Sequence, residues 1–236
     1  MEAKAKPASP NHKPNSSHNF SSNSNQKLVA KKFKPTAPAH QAEFVISAAT
    51  ASQFPPPLGF EAALLGRSNS GKSSLLNRWL GRKSLARVSK TPGRTRLINF
   101  FSVAWSKEEP TFYAADLPGY GYAAAPRAMV ASWETLVQAY LQAPRPNRLA
   151  LLLMDIRRDP QAEETNLVKW LNDLGLDYRL VATKCDKLGQ GARAKRLALI
   201  RKKLNPPEAP LIFSALTGEG REELVALTKA RTLILA

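Results

Sequence analysis

The sequence predicts a doubly wound α/β domain: a mostly parallel sheet with one antiparallel edge strand and helices on both faces. Three observations lead there. From residue 126 onward, segments of helical spacing alternate with short apolar runs, the pattern of a βαβ fold. Leu149–Met154 is apolar without interruption, as a strand buried on both faces must be. The strand-like runs 97–103 and 111–115 are joined by a turn at Lys107–Pro110, too short for a crossover, so these two strands are antiparallel neighbours.

Each element has a local reason. Ala42–Ile46 reads as a first strand. Ala48–Phe54 reads as a short helix or turn, stopped by Pro55-Pro56-Pro57. Glu61–Leu65 is a strand, and Gly71–Leu80 a helix ended by Gly81. Residues 82–96 are polar, basic and carry Pro92-Gly93, so they read as a long loop. Pro126–Leu141 is a helix with proline near its start and Pro144 past its end. Helices at 163–174, 192–204 and 219–228 then alternate with strands at 178–182 and 210–213.

Residues 1–40 are rich in Ser, Asn, Lys and Pro and poor in large apolar residues, so they cannot bury enough surface to order themselves. They read as a disordered basic extension, with residues 41–236 as the folded domain. An arm toward nucleic acid fits them better than a transit peptide, because no arginine-bearing amphipathic face is present.

The chain has 236 residues and a formal charge of +17. The extension holds seven lysines against one glutamate, which leaves +11 on residues 41–236. A basic body points to a polyanionic partner, nucleic acid being the usual one. The single cysteine, Cys185, excludes a disulfide framework, and no apolar run approaches the roughly 20 residues of a membrane span. His12, His18 and His40 all lie in the extension, so histidine acid–base chemistry and catalytic triads are excluded from the body. Chemistry here has to work by positioning and charge, as phosphoryl transfer does.

The chemistry is written at strand ends, where such sheets bind ligands. Gly66-Arg67-Ser68-Asn69-Ser70-Gly71-Lys72-Ser73 lies between the strand 61–65 and the helix 71–80. This is a phosphate-binding P-loop in its required context. Its glycines turn backbone N–H groups inward, and the helix N-terminus adds positive potential. Lys72 is placed to reach β- and γ-phosphates, and the Ser73 hydroxyl to ligate Mg²⁺. Asp116-Leu117-Pro118-Gly119 follows the strand 111–115. Its aspartate suits Mg²⁺ through water and the Gly119 N–H suits a γ-phosphate.

Thr183-Lys184-Cys185-Asp186 follows the strand 178–182. An ionised Asp186 only accepts hydrogen bonds, which matches the N1–H and N2–H donors of guanine. Adenine would leave that charge unpaired, a discrimination on the order of 10⁴. The Lys184 stem suits the face of the base. Phe213-Ser214-Ala215 follows the last strand and offers a backbone N–H to guanine O6. Thr95, in the loop 82–96, is a candidate second hydroxyl ligand for Mg²⁺ when a γ-phosphate is present, which would make that loop an order–disorder switch.

Taken in order, Gly-Arg-Ser-Asn-Ser-Gly-Lys-Ser-Ser, Thr-Pro-Gly-Arg-Thr, Ile-Asn-Phe-Phe, Asp-Leu-Pro-Gly-Tyr-Gly-Tyr-Ala and Thr-Lys-Cys-Asp resemble the bacterial EngB GTPases of the translation-factor-related class. The resemblance runs from about 42 to about 230. It implies the P-loop GTPase fold and a cytoplasmic enzyme that hydrolyses GTP to GDP; a monomer without membrane attachment is the separate expectation from the chain itself. It implies a role in assembly of the large ribosomal subunit, through its precursor or rRNA, and a link to normal septation in cell division. It also implies nucleotide contacts at Gly66–Ser73, at Gly93, Arg94, Thr95, Arg96 and Leu97, at Asp116–Gly119, at Thr183–Asp186 and at Phe213–Ala215. Mg²⁺ would sit on Ser73 and Thr95, with Asp116 behind it, and Lys72, Thr95 and Gly119 would act on the reacting phosphate.

The chain departs from the usual pattern in places. Thr183 stands where most GTPases have asparagine, which predicts a looser tether to the phosphate loop. Ser70 replaces the commoner valine. Tyr120 follows Gly119 where many GTPases carry a water-orienting glutamine, so intrinsic hydrolysis should be slow. Asn69 has two readings, a K⁺ ligand as in some related GTPases or a loop-capping asparagine. Between 187 and 204 the cations Lys187, Arg193, Lys195, Arg196, Arg201, Lys202 and Lys203 meet no acid. That face is a candidate stripe for rRNA phosphates, with Arg87, Lys90, Arg94 and Arg96 as a second patch. The competing functional reading is an RNA-binding assembly factor that uses guanine nucleotide as a structural clamp.

Overall fold

The structure, a computed structural model, describes residues 37–86, 97–120, 127–145 and 147–233. Gly93, Arg94, Thr95 and Arg96, the patch residues Arg87 and Lys90, and the extension up to residue 36 lie outside the described residues.

A seven-stranded sheet carries everything else. Its strands are β1 (Gln41–Ala48), β2 (Glu61–Gly66), β3 (Ile98–Ala104), β4 (Phe112–Asp116), β5 (Arg148–Asp155), β6 (Asp177–Thr183) and β7 (Leu211–Phe213), in the order β1-β3-β4-β2-β5-β6-β7. The helices are α1 (Lys72–Leu80), α2 (Arg127–Gln142), α3 (Ala162–Asp173), α4 (Gln190–Leu204) and α5 (Arg221–Leu233), with 3₁₀ turns at Ala51–Gln53 and Cys185–Lys187. β3 is the strand that runs against the others. It pairs antiparallel with β4 on one side and with β1 on the other. β1 pairs with β3 alone and is the outermost strand on that side, so antiparallel β3 lies one strand in from the edge.

Two cores form, one on each face. On one, Leu75, Leu76, Trp79 and Leu80 of α1 and Leu224 and Val225 of α5 pack on Leu64, Leu151 and Phe213. On the other, Tyr140, Leu171 and Ile200 of α2, α3 and α4 cover Leu65, Leu152 and Leu180. The β5 residues Leu149–Met154 alternate between these two cores, which is why the run has no polar gap.

Register then sets the site. Leu64 pairs with Asp116, Gly66 with Leu153, Asp155 with Thr183 and Thr183 with Phe213. The residues that end these strands share one edge of the sheet. At the opposite end, buried Glu61 accepts hydrogen bonds from Tyr140 Oη at 2.9 Å and Arg145 Nε at 2.8 Å, tying α2 to the start of β2. Residues 38–40 lie against the body: Ala39 is buried, its N–H donates to Leu80 O at 3.1 Å, and Arg82 donates to its carbonyl.

Candidate nucleotide site

The phosphate loop is built by backbone geometry. Gly71, the N-cap of α1, sits at φ 101°, a region open to glycine and closed to most other residues. Asn69 adopts φ 64°, which its short amide side chain tolerates better than most. The turn folds around Lys72, whose Nζ donates to Gly66 O at 2.9 Å and Arg67 O at 3.2 Å. Burial pushes the Lys72 ammonium below its usual range, and nearby Asp116 partly opposes that shift.

Asp116 ends β4 beneath this loop. Ser73 Oγ donates to its Oδ2 at 3.2 Å, while Oδ1 is buried without a hydrogen-bond partner among the described residues. Burial raises the carboxyl pKa, against the pull of Lys72 and Ser73. A hydroxyl and a buried carboxylate with one unsatisfied oxygen form an oxygen-only donor set, the kind a hard divalent cation takes. Ser73 and Asp116 therefore fit Mg²⁺.

Leu117 and Pro118 are buried, and the chain then turns onto the phosphate loop. Ser68 N donates to Tyr120 O at 2.9 Å, and Arg67 and Tyr120 form a parallel bridge. A Cβ on Gly119 would lie 2.8 Å from both Lys72 Nζ and Ser68 N, so the approach requires glycine. Tyr120 Oη points to Glu164 at 3.4 Å, and burial, followed by that carboxylate, raises its pKa. The phenol therefore stays protonated.

The Thr183–Asp186 segment meets the loop directly. Thr183 Oγ1 donates to Ser70 O at 2.7 Å, so threonine keeps a short tether to the phosphate loop where a looser one was expected. Lys184, at φ 59°, turns its side chain back so that Nζ donates to Asn69 O at 2.7 Å. Cys185 is buried. Asp186 accepts a hydrogen bond from Ser214 Oγ at 2.7 Å, which holds its pKa below the usual range despite the opposing effect of desolvation. The N–H of Ser214 is taken by Glu219 O at 3.0 Å. Ala215, the last of the trio Phe213, Ser214 and Ala215, is partly exposed. Leu97, the remaining residue of the 93–97 group, lies just before β3 and is partly exposed.

Sequence reasoning missed the carboxylate ending β5. Asp155 Oδ2 lies 3.0 Å from Lys184 Nζ and also accepts from Arg157 Nη2 at 2.7 Å. The signal was available: a single acid directly after an unbroken apolar strand. Ser214 was expected to act through its backbone N–H; its side chain instead reaches from the end of β7 to Asp186 after β6. Asp155, Arg157 and Lys184 border a cleft of about 370 Å³ whose lining also includes Arg67, Asn69 and Arg158.

The basic stripe is only partly free. Arg193 bonds Glu219 at 2.9 Å, Arg196 bonds Asp159 at 2.5 Å, and Lys187 pairs with Asp186 at 3.3 Å. Lys195, Arg201, Lys202 and Lys203 are exposed.

Residues 61–184 match the family model described as 50S ribosome-binding GTPase. A probable GTP-binding protein EngB of Syntrophus aciditrophicus is 47% identical over 183 residues, 78% of this chain and 91% of the relative. The chain belongs to the EngB family of P-loop GTPases. A crystal structure of a probable EngB is similar to the chain with a TM-score of 0.58 at 20% identity, covering 73% of this chain and 98% of that one. Era in complex with MgGDPNP and nucleotides of 16S ribosomal RNA gives a TM-score of 0.59 at 25% identity, covering 73% of this chain and 56% of that one. Among the described residues no helix is long and apolar enough to cross a membrane.

Proposed function

We propose that this EngB-family chain is a Mg²⁺-dependent GTP-hydrolysing switch whose phosphates lie in Gly66–Ser73 and whose guanine is read by Asp186. The observation that carries this reading is the joining of two motifs more than a hundred residues apart: Thr183 bonds Ser70 O and Lys184 bonds Asn69 O. A base held by Asp186 and phosphates held by the loop are then ends of one ligand.

In that reading, Lys72 exchanges the carbonyls of Gly66 and Arg67 for phosphate oxygens, which favour the charged form that burial disfavours. Ser73 and Asp116 hold the cation, with Thr95 as a further ligand from the 93–97 segment. Bound Mg²⁺ would neutralise charge on the β- and γ-oxygens. The Gly119 N–H is the donor this reading assigns to the γ-phosphate. Tyr120, a protonated phenol turned toward Glu164, is no base for water, which supports slow intrinsic turnover. K⁺ at Asn69 would supply positive charge there, so turnover should be faster in KCl than in NaCl.

The partner in this reading is the large-subunit precursor, through rRNA, in the cytoplasm. A formal charge of +17 and the exposed cations of α4 support a polyanion. The link to septation rests on the family resemblance alone. The central test is binding of mant-GTP against mant-ATP in Mg²⁺ buffer: GTP is expected to bind and ATP not, and equal binding rejects the base contact. Asp186→Asn should shift preference toward xanthosine nucleotides. Lys72→Ala should abolish both nucleotide and ribosomal-particle binding, whereas retained RNA binding would favour the structural-clamp reading.

A further inference from the structure

We propose that Asp155 is a positioning residue for nucleotide binding: aimed by Arg157, it holds the Lys184 ammonium on the carbonyl of Asn69 and so couples the shelf under the base to the phosphate loop. The inference rests on the placement of the nucleotide given above.

The geometry is a relay of four groups. Arg157 donates from Nε to Asp155 Oδ1 at 2.9 Å and from Nη2 to Oδ2 at 2.7 Å, and its own N–H reaches Oδ1 at 3.1 Å. This two-pronged grip fixes the plane of the carboxylate, which a point charge could not do. Oδ2 is thereby turned toward Lys184 Nζ, 3.0 Å away. Nζ in turn donates to Asn69 O at 2.7 Å. Pairing of β5 with β6 places Asp155 opposite Thr183, so the acid stands one residue away from the lysine it holds.

Each partner needs the others. The Lys184 side chain is about a third exposed and would sample solvent freely without an anchor. A neutral carbonyl alone is a weak anchor for an ammonium, and the carboxylate supplies the charge. The Asp155 side chain is 7% exposed and would be costly to leave without cations. Burial works against its ionisation, but the hydrogen bonds from Arg157 and Lys184 outweigh that and hold its pKa down to about 2. The relay is therefore charged throughout the physiological range. Asn69 stands at φ 64°, so a held carbonyl also steadies the strained middle of the phosphate loop.

A purely structural role exists for the same side chain, because its Oδ1 also accepts the Arg157 backbone N–H at 3.1 Å and so shapes the turn after β5. The test separates the two. Stopped-flow release of mant-GDP is measured for wild type, Asp155→Asn, Arg157→Gln, Lys184→Met and the Asp155→Asn/Lys184→Met pair, with thermal melts alongside. Lys184→Met keeps the stem and removes the charge. Asp155→Asn is expected to speed release roughly 3- to 30-fold, the range of coupling between neighbouring groups. Arg157→Gln, at a half-exposed position that leaves the carboxylate in place, gives a smaller increase and keeps the test alive should the Asn variant fold poorly. In the Lys184→Met background, adding Asp155→Asn should change nothing, because both remove the same contact. Multiplying rates in the double variant, or Asp155→Asn and Arg157→Gln releasing GDP within twofold of wild type, overturns the proposal. Lys184→Met releasing GDP at the wild-type rate would sink the base placement itself, which Asp186→Asn reads independently.

Discussion

Replacing Thr183 by valine tests how the base-reading segment is held to the phosphate loop. The substitution keeps the branched shape and removes one hydroxyl. That hydroxyl donates to Ser70 O at 2.7 Å, with Met154 O at 3.1 Å as a second neighbour. Thr183 is 3% exposed and Ser70 4% exposed, so water does not readily replace the lost donor. Leaving a buried carbonyl unpaired costs about 1–3 kcal/mol. Part of that appears as lost fold stability, and part as weaker nucleotide binding, because the bond joins the two halves of the site. With that cost divided about evenly, the melting temperature without nucleotide should fall by roughly 1–6 °C. GDP affinity should fall by about 3- to 12-fold, with the larger loss for ligands that bridge base and phosphate. Thr183→Ser, which keeps the donor, should recover most of the affinity while losing some packing. Calorimetric titration of GDP and of pyrophosphate supplies the comparison. If valine left GDP affinity within twofold of wild type, the tether would contribute nothing to binding and this account of the site would be wrong.

Three further outcomes are expected. Gly119→Ala places a methyl 2.8 Å from Ser68 N, where backbone cannot yield as a lysine tip can. GTP turnover should fall roughly 10- to 100-fold while GDP affinity changes less than about threefold, as about 1–3 kcal/mol of overpacking at the position assigned to the γ-phosphate would give; equal loss of both in steady-state and binding assays would refute it. The buried Cys185 thiol is pushed up to about 11, by burial first and then by Glu219. From the ordinary thiol value near 8.5 up to that figure, the unfolded chain holds thiolate that folding must reprotonate, so this group lowers stability as pH rises across that window. Ellman's reagent at pH 8.5 should therefore react on the order of a hundred times more slowly with the native protein than with the unfolded chain. Neutralising Lys195, Arg201, Lys202 and Lys203 together should flatten the salt dependence of rRNA binding by up to about 3 in log–log slope, read by filter binding from 50 to 200 mM KCl, and an unchanged slope would move the contact elsewhere.

The strands and helices were legible because each carries its burial in its own residues. Leu149–Met154 meets apolar cores on both faces, and the leucines of α1 meet one. The site was legible wherever function constrains residue type within a short loop: Lys72 and Ser73, Asp116, and Thr183 with Asp186 all reach the same sheet edge. What escaped the sequence was pairing across distance. Nothing near β1 says that it lies outside β3, since the two form an antiparallel pair with β2 and α1 between them in the chain. The same limit hid the partners of the cations. Arg193 and Arg196 count toward a basic stripe in one dimension, yet Glu219 and Asp159 answer them from other elements. Net charge is a property of composition, but free charge is a property of the fold, and it left Lys195, Arg201, Lys202 and Lys203 exposed on α4. Asp155 makes the same argument from the acidic side. Read in sequence it is the polar end of a strand, and read in space it is the shared anion of two cations. A residue's role at this sheet edge follows from which strand end lies beside its own, and that is set by register.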